Sequence, residues 1–571
     1  MIDFKKELAK IIFSDDLGLS VEEIENMIEL PTDKSMGDYA FPCFRLAKTL
    51  RKAPPLIAKS IVERIKDNEM FQDVKQVNAY VNMFLNKEII VKETINTVLD
   101  KGADFGKSNI GEGKPVIVEY SSPNIAKPFH IGHIRSTVIG NSLYKIYDAV
   151  GYDVTRINHL GDYGTQFGKM IVSYRHWGNE ADVKADPIKT LLEYYTKFHI
   201  EVENDPSLDT EAREVFTKLE KKEKAEVELW QWFREESLKE FNRVYEMLGV
   251  EFDSYKGESF YSDSMPRFLK ELRDKNLMVE SQGAQIVDLE EYGMNPALIT
   301  KSDGSTLYVT RDIAAAVYRK ERYDFAKNIY VVASQQNLHF QQWKKVLELM
   351  GYEWVKDCIH VPFGLVSLEE GTMSTRHGRV VFLEDVLNKA VDQTREVIKE
   401  KGVTTDDIEE TAKMVGIGAV VFQELSNSRI KDYVFSWDKV LTFDGETGPY
   451  VQYTHARASS LMRKAGEEAV KRAESKDIEY KYLKSESAYV LSKEIYALPK
   501  VVLEAAEKYE PSIVTRQVIN IAQAFNRFYH DEHILVKNEE EKVAKLALVI
   551  AAKTAIRNGL DLLGMKAPEK M

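Results

Sequence analysis

The chain has 571 residues, 44% of them apolar and 30% charged, which is too long for one hydrophobic core and predicts roughly three to four domains of ordinary globular makeup. No apolar run reaches the ~18 residues needed to span a bilayer. A net charge of −13 argues against a nonspecific polyanion binder, although an acidic body can still carry a basic face.

The opening MIDFKKELAKIIF reads as an amphipathic helix. It lacks the apolar core of a secretion signal and the arginine-rich makeup of a transit peptide. The two cysteines, Cys43 and Cys358, lie far apart, with no CxxC or Cys/His cluster. A disulfide framework and a structural zinc are therefore not expected, and a reducing cytoplasm is. PPLIAKSIVERI is a helix with proline at its start, and NAYVNMFLN (78–86) alternates like a strand. GADFGKSNIGEGK (102–114), rich in glycine and charge, reads as a linker that closes a small mixed domain over 1–110.

After it the pattern becomes strand (KPVIVEYSS, 114–122), helix (132–151) and strand (YDVTRINHLGDYG, 152–164). This βαβ unit predicts a parallel sheet. Strand-like runs return at 284–289, 306–312, 328–334 and 358–368. Between the two sets, 165–275 is mainly charged and helical and reads as an insertion between two halves of one nucleotide-binding sheet. From about 405 onward, apolar stripes at 3.6 spacing predict an all-helical bundle.

The stretch SSPNIAKPFHIGHIRSTVIGN (121–141) places His130, Gly132 and His133 between a strand and a helix. That is where open α/β sheets hold ligands, and a helix N-terminus attracts phosphate. Gly132 allows close approach to the backbone, and the histidines can donate to phosphate oxygens. Lys127 adds a charge. Composition alone gives about 0.01 occurrences of His-x-Gly-His in a chain of this makeup.

His130-Ile131-Gly132-His133 resembles the HIGH signature of class I aminoacyl-tRNA synthetases. TMSTRHG (372–378) resembles their KMSKS loop: Met373 and Ser374 match, Thr372 and Thr375 replace the lysines, and Arg376 is an adjacent cation. A lysine just before HIGH, here Lys127, together with a KMSKS loop lacking its second lysine, resembles the arginyl-tRNA synthetase family. NHLGDYGTQFG, LYVTRDIAAA and GPYVQYTHAR look like that family too, over essentially the whole chain.

The resemblance implies an α/β fold built on a HIGH-type Rossmann-like nucleotide-binding domain. The expected divisions are an N-terminal α+β domain (1–110) touching the tRNA D-loop, and a catalytic domain (111–385) with an insertion over about 170–275. A connecting helical region (386–440) and an α-helical anticodon-binding bundle (441–571) follow. It implies activation of arginine with ATP, accompanied by Mg²⁺, then transfer to the 3′ end of tRNA-Arg, in a cytoplasmic monomer that needs no membrane or structural metal. It also implies that activation requires bound tRNA.

By the same resemblance, Lys127, His130, His133 and Arg376 stabilise the transferring phosphate. Gly132, Leu365, Val366, Met373 and Ser374 join the histidines around ATP. Glu119, Ser122, Asn124, His133, Tyr308, Asp312 and Gln336 contact arginine. A guanidinium needs planar acceptors, and these residues lie at or near predicted strand ends. Read from the residues alone, Asp312 serves equally well as the N-cap of IAAAVYRKE, and Ser122 and Asn124 as turn residues. For tRNA the family match suggests Tyr450, Tyr453, Arg457, Tyr529 and Met571, and in the first domain Asn78, Tyr80 and Asn82. A core stripe and a half-buried strand describe the same two patterns. Rival readings are a small-molecule nucleotidyltransferase, which needs no added domains, another class I synthetase, and a noncatalytic tRNA-binding paralogue, which Thr372 favours.

Overall fold

The computed structural model describes residues 2–127, 129–301, 308–368, 381–400, 407–437, 442 and 445–571. The chain divides into two compact units. One comprises Met1–Phe105, Arg457–Leu498 and Asn520–Asn558, the other Gly106–Ala456, Pro499–Ile519 and Gly559–Met571.

In the first unit, the helix Phe4–Ile12 is capped by Asp3, whose side chain accepts from the Lys6 N–H. It buries Phe4, Leu8 and Ile12 on one face. The strands β1 (Tyr39–Pro42), β2 (Phe71–Val77) and β3 (Tyr80–Leu85) form an antiparallel sheet in the order β1-β3-β2. The helix Pro54–Ile65 does begin at its prolines, where a missing N–H costs nothing. Phe41, Ile61, Val81 and Met83 fill the core, with Tyr489 from the helix Glu486–Lys508.

In the second unit, β4 (Pro115–Glu119), β5 (Asp153–Ile157), β9 (Lys327–Ala333) and β10 (Cys358–Phe363) form one parallel sheet, ordered β10-β9-β4-β5. Val116, Ile117 and Val118 of the central strand are fully buried. An unbroken apolar run is what a sheet covered on both faces requires. The helix Ile134–Ala149 crosses between β4 and β5 and is buried nearly all round. Gly140 permits its approach, since a Cβ there would come within 2.1 Å of Tyr120 Cβ. Between β5 and β9, the helices Thr165–Trp177, Pro187–Asn204 and Ser207–Glu220 pack with Lys224–Leu248 around Ile171, Leu191, Phe198 and Phe233, forming the expected helical insertion.

Three expectations need correction. The run 306–312, predicted as a strand, belongs within its described part to the helix Tyr308–Tyr323. Its β-branched residues suggest a strand, but Val309, Ile313, Ala316 and Val317 recur at helical spacing and are buried together. Tyr308 and Asp312 therefore stand one turn apart on a helix. They do not lie at a strand end, and Asp312 is not its N-cap.

The run 284–289 does not join the parallel sheet. Its strand β7 (Ala284–Val287) pairs antiparallel with β6 (Met278–Ser281) and β8 (Ala297–Thr300). The connection is Gln282-Gly283, both at positive φ, a two-residue hairpin turn. The run 358–368 breaks at Gly364: after β10, β11 (Val366–Leu368) pairs instead with β12 (Tyr433–Phe435).

The glycine-rich segment before β4 contains the boundary between the two units, after Phe105, and its later part is tied down. Ser108, Gly111 and Gly113 donate backbone hydrogen bonds to Ala149, Val150 and Gly151.

Candidate active site

The loop after β4 is backbone-strained: Ser121, Ser122 and Ala126 all have φ between 47° and 68°. Non-glycine residues hold that conformation only when their surroundings enforce it. Here Ser121 N–H donates to Ser136 Oγ (2.9 Å), and Ser121 Oγ lies 2.7 Å from Tyr245 Oη and 2.9 Å from Thr137 Oγ1. The loop is thereby pinned to the helix Ile134–Ala149 and to Tyr245 of the insertion. Asn124 bridges to Gly161 in the loop after β5. A Cβ on Gly161 would sit 2.2 Å from Asn124 Oδ1, so the glycine makes room for that amide.

His130 and His133 form a turn that enters the helix. Gly132 N–H donates to Nδ1 of His130 (3.0 Å), and the His130 N–H donates to Nδ1 of His133 (3.2 Å). Their rings lie 4.0 Å apart, and His133 stacks on Phe129 at 5.1 Å. Burial holds His130 down at about 4. Burial, with His130 and Lys127 nearby, holds His133 at about 3. Both imidazoles are thus neutral at physiological pH. Nδ1 of His130 accepts, which leaves its proton on Nε2, whereas Nδ1 of His133 lies 3.2 Å from both the N–H and the carbonyl oxygen of His130 and suits either tautomer. The two rings offer N–H donors, not cations. The positive charge comes from Lys127, whose Nζ lies 5.9 Å from the Tyr195 ring centroid.

Glu119, at the end of β4, lies opposite Tyr330 and Ile157 in the sheet. Its Oε2 is 2.5 Å from Nη1 of the fully buried Arg319, which also reaches Nδ1 of His159 at 3.3 Å. Asp312 is ion-paired with His339, from the helix Asn337–Leu349. Next to Asp312, Arg311 pairs with Glu258 at 2.9 Å. Burial, opposed by Arg311 and assisted by Asp312 and Asp162, pushes the Glu258 carboxyl up to about 7. Asp162 itself accepts from the Ser259 N–H and hydroxyl at 2.8 and 2.9 Å.

Tyr330 has Arg319, Glu119 and Asp312 within electrostatic reach, so the two acids assigned to arginine share one neighbourhood. Tyr308 is 62% exposed, with the Arg311 guanidinium 5.3 Å from its ring. Gln336, just after β9, is exposed, as is Asn124, while Ser122 is partly buried. His339, Arg319, Arg311, Glu258 and Asp162 escape the sequence reading. Asp162 and Arg311 alone had a signal, as parts of NHLGDYG and LYVTRDIAAA.

Leu365 and Val366 begin the strip toward β11. Leu365 is 44% exposed, and its N–H donates to Asp432 Oδ1 at 2.6 Å. Arg135, two residues after the HIGH turn, donates through Nη1 to the carbonyls of Gly364 (3.0 Å) and Lys431 (2.7 Å) and through Nη2 to that of Ser428 (3.4 Å). Its Nε lies 3.6 Å from Glu424 Oε2, with both side chains buried. Thr372, Met373, Ser374, Thr375 and Arg376 lie outside the described residues.

Of the residues expected to meet tRNA, Tyr450 is partly buried and Tyr453 is 38% exposed on the helix Gly448–Ala465. In the first unit, the Arg457 guanidinium lies 5.0 Å from the exposed Tyr529 ring. Asn78 sits at φ 55° in the β2–β3 turn, and Tyr80 packs edge-on against the exposed Phe44 at 5.4 Å. Asn82 does not project. It is 3% exposed, and its amide donates to Met36 Sδ, because β3 is covered along both faces at that point. Met571 is partly buried. Among the described residues no cluster of His, Cys, Asp or Glu is arranged to hold a metal ion, and no helix is long and apolar enough to cross a membrane.

The family model for the class I (R) tRNA synthetase catalytic domain matches residues 94–437. The DALR anticodon binding domain matches 451–571, and the arginyl tRNA synthetase N terminal domain matches 3–85. The chain is similar to proteins described as arginine–tRNA ligase from Clostridioides difficile, 59% identical, and Halothermothrix orenii, 56% identical, each over the full length of both chains. Its fold is similar to that of the Thermus thermophilus arginyl-tRNA synthetase, at a TM-score of 0.79 and 24% identity over 99% of this chain and all of that one. With a HIGH turn at the carboxyl edge of a four-stranded parallel sheet and these matches along its whole length, the chain belongs to the arginyl-tRNA synthetase family of class I.

Proposed function

We propose that the chain ligates arginine to tRNA-Arg in two steps at the carboxyl edge of the parallel sheet. The observation that carries this reading is the pair of neutral histidines at a helix N-terminus beyond the carboxyl end of β4, on a sheet whose Tyr330 has Glu119 and Asp312 within electrostatic reach. In the first step the arginine carboxylate attacks the α-phosphorus of ATP. The new O–P bond forms as the bond to the bridging oxygen breaks, and pyrophosphate leaves with that electron pair. Such a reaction requires alignment and charge stabilisation more than a protein nucleophile.

His130 and His133 donate from Nε2 to the phosphate oxygens, and Lys127 supplies the compensating charge, with Arg376 from the second signature. Gly132 leaves the backbone open to the phosphates. The strip at Leu365–Val366, together with Met373 and Ser374, holds the nucleotide. Asp312, Tyr308 and Gln336 receive the guanidinium, while Glu119, Ser122 and Asn124 complete the amino-acid pocket. Mg²⁺ accompanies ATP and shields its phosphates. In the second step the 2′-hydroxyl of the terminal tRNA adenosine attacks the arginyl carbonyl and AMP leaves.

Tyr450, Tyr453, Arg457 and Tyr529, with the weaker Met571, stack against or pair with the tRNA on the helical side. Asn78 and Tyr80 meet it on the N-terminal domain (1–110). The catalytic domain spans 111–385, with helices over 386–440 leading to the anticodon-binding domain, 441–571. The same reading makes the enzyme a monomer of the reducing cytoplasm, consistent with two buried free thiols.

The test is arginine-dependent exchange of pyrophosphate into ATP, with and without tRNA-Arg, against lysine as comparison. Exchange with arginine alone among the amino acids supports the reading. Folded protein that binds tRNA but exchanges nothing in either condition overturns it in favour of a noncatalytic paralogue.

A further inference from the structure

Asp312 does not wait for its ligand unaccompanied. Its Oδ2 meets Nε2 of His339 across two helices. The His339 and Asp312 side chains are 22% and 30% exposed, so the pair borders solvent without being open to it. Three titratable groups act on His339 directly, and a fourth, Arg311, through Glu258. Asp312 faces it from the helix Tyr308–Tyr323, and Glu258 from the turn before Met265. Arg311 is tied to Glu258. His360, on β10, stacks on the neighbouring Phe340 at 4.0 Å. Burial works against a charge on the His339 ring, but Asp312 and Glu258 outweigh it and hold the imidazolium above its ordinary range.

A substrate guanidinium brings a second positive charge and a fork of donors to the same carboxylate. Two cations on one acid repel each other at short range, and of the two only His339 can shed its charge near neutral pH.

We propose that His339 is a proton-linked counter-cation for Asp312, holding the carboxylate before arginine arrives and releasing its proton to solvent as the guanidinium takes over. This rests on the reading of Asp312 as the guanidinium acceptor. His339 is a positioning residue, acting on the substrate through Asp312. The step balances as protonated enzyme plus arginine cation giving the arginine complex plus one proton. Below the titration of His339 the apparent affinity for arginine therefore rises by up to about tenfold per pH unit, and above it the affinity is flat.

Calorimetric titration of the full chain with arginine, tRNA present, in two buffers of different ionisation heat between about pH 6 and about pH 9 counts the protons released. Close to one proton per arginine at the acid end, falling to none at the alkaline end, is expected. H339Q keeps a donor near the position of Nε2 and is expected to abolish the release and flatten the pH dependence of the arginine KM, with the ATP KM unchanged within about twofold. The unaltered chain reports proton release without any variant, so a misfolded H339Q leaves the test intact. No proton release by the unaltered chain across the range, or the same release from H339Q, overturns the proposal. D312N separates the two readings. If it binds arginine as tightly as the unaltered chain, the pocket assignment falls and takes this proposal with it. If it loses arginine while H339Q still releases its proton, only the role of His339 falls.

Discussion

Nη1 of Arg319 lies 2.5 Å from Oε2 of Glu119, and neither side chain is more than 7% exposed. One of the two acids proposed to meet substrate arginine is therefore already paired with an arginine of the chain itself. Burial opposes the charge on Arg319, yet Glu119 holds the guanidinium well above its ordinary range. R319M leaves Glu119 buried without a counter-charge and is expected to cost about 3–5 kcal/mol in urea unfolding. The double variant E119Q/R319M is expected to recover part of that loss, which a double-mutant cycle measures.

The division of labour between the acids follows from the same contact. In the proposed pocket Asp312, whose partner His339 can give up its proton, takes the charge of the substrate, while Glu119, held by the permanently charged Arg319, shapes the site. D312N is expected to raise the arginine KM by about 10- to 100-fold, in line with the loss of a charge-assisted pair. E119Q should raise it less. Steady-state pyrophosphate exchange, titrating arginine at saturating ATP, ranks the two.

Arg135 ties the helix behind the HIGH turn to the carbonyls of Gly364, Ser428 and Lys431, next to the strip proposed to hold the nucleotide. A lysine keeps the charge but cannot span Gly364, Ser428 and Lys431 at once. R135K is expected to raise the ATP KM by about tenfold while moving the arginine KM little, since each lost charged hydrogen bond contributes about 1.5–3 kcal/mol. Glu424, pushed up to about 8 by burial against the pull of Arg135, binds a proton in the native state that it loses above about 4.5 when unfolded. Its contribution to stability is complete at acid pH and fades as pH rises toward 8. E424Q is expected to flatten that slope and to be far milder than R135M, as thermal unfolding across this pH range would show.

His130 and His133 have the opposite sign. Their native values of about 4 and about 3 lie below the 6.5 of a free imidazole. The unfolded chain therefore takes up protons that the native turn refuses, and stability falls as pH drops from about 6.5 toward 4. Substituting both by asparagine should make that fall shallower. Exchange activity of the unaltered chain should show no break from these two rings above about pH 5.

Gly161 has no room for a side chain beside Asn124. G161A is expected to displace the Asn124 amide, raise the arginine KM several-fold, and destabilise the fold by about 1–3 kcal/mol, as overpacking usually does. Denaturant unfolding and arginine titration of the same variant check both effects.

The parts legible in the sequence were those governed by local rules. β4, the helix Ile134–Ala149 and β5 follow from an apolar run, a helical stripe and a terminal glycine. The HIGH turn is legible because Gly132, two histidines and a helix start are contiguous. Tyr308 and Asp312 are misplaced by the sequence because Thr, Tyr and Val imitate a strand, while the helical spacing from Val309 to Val317 decides the outcome through burial. The hairpin at Gln282-Gly283 had a local signal that the apolar run AQIVDL masks. Arg319 and His339 had none: their partners, Glu119 and Asp312, stand 200 and 27 residues away, and a single arginine or histidine on a helix carries no trace of what it will meet.

The strand order has a consequence for how the molecule is made. β4 pairs with β5 almost at once in the chain, but its other neighbour, β9, begins about 210 residues later. At synthesis rates of ~5–20 residues per second, that interval is roughly 10–40 s. Throughout it, half a sheet leaves the ribosome with the apolar edge Val116–Val118 unsealed, an invitation to wrong pairing. The insertion, rich in local helical contacts, can fold meanwhile. Arg319 is the last partner to reach Glu119 before β9 closes the gap. Ribosome pausing within the stretch between β5 and β9 should therefore lower the yield of active enzyme more than pausing after β10.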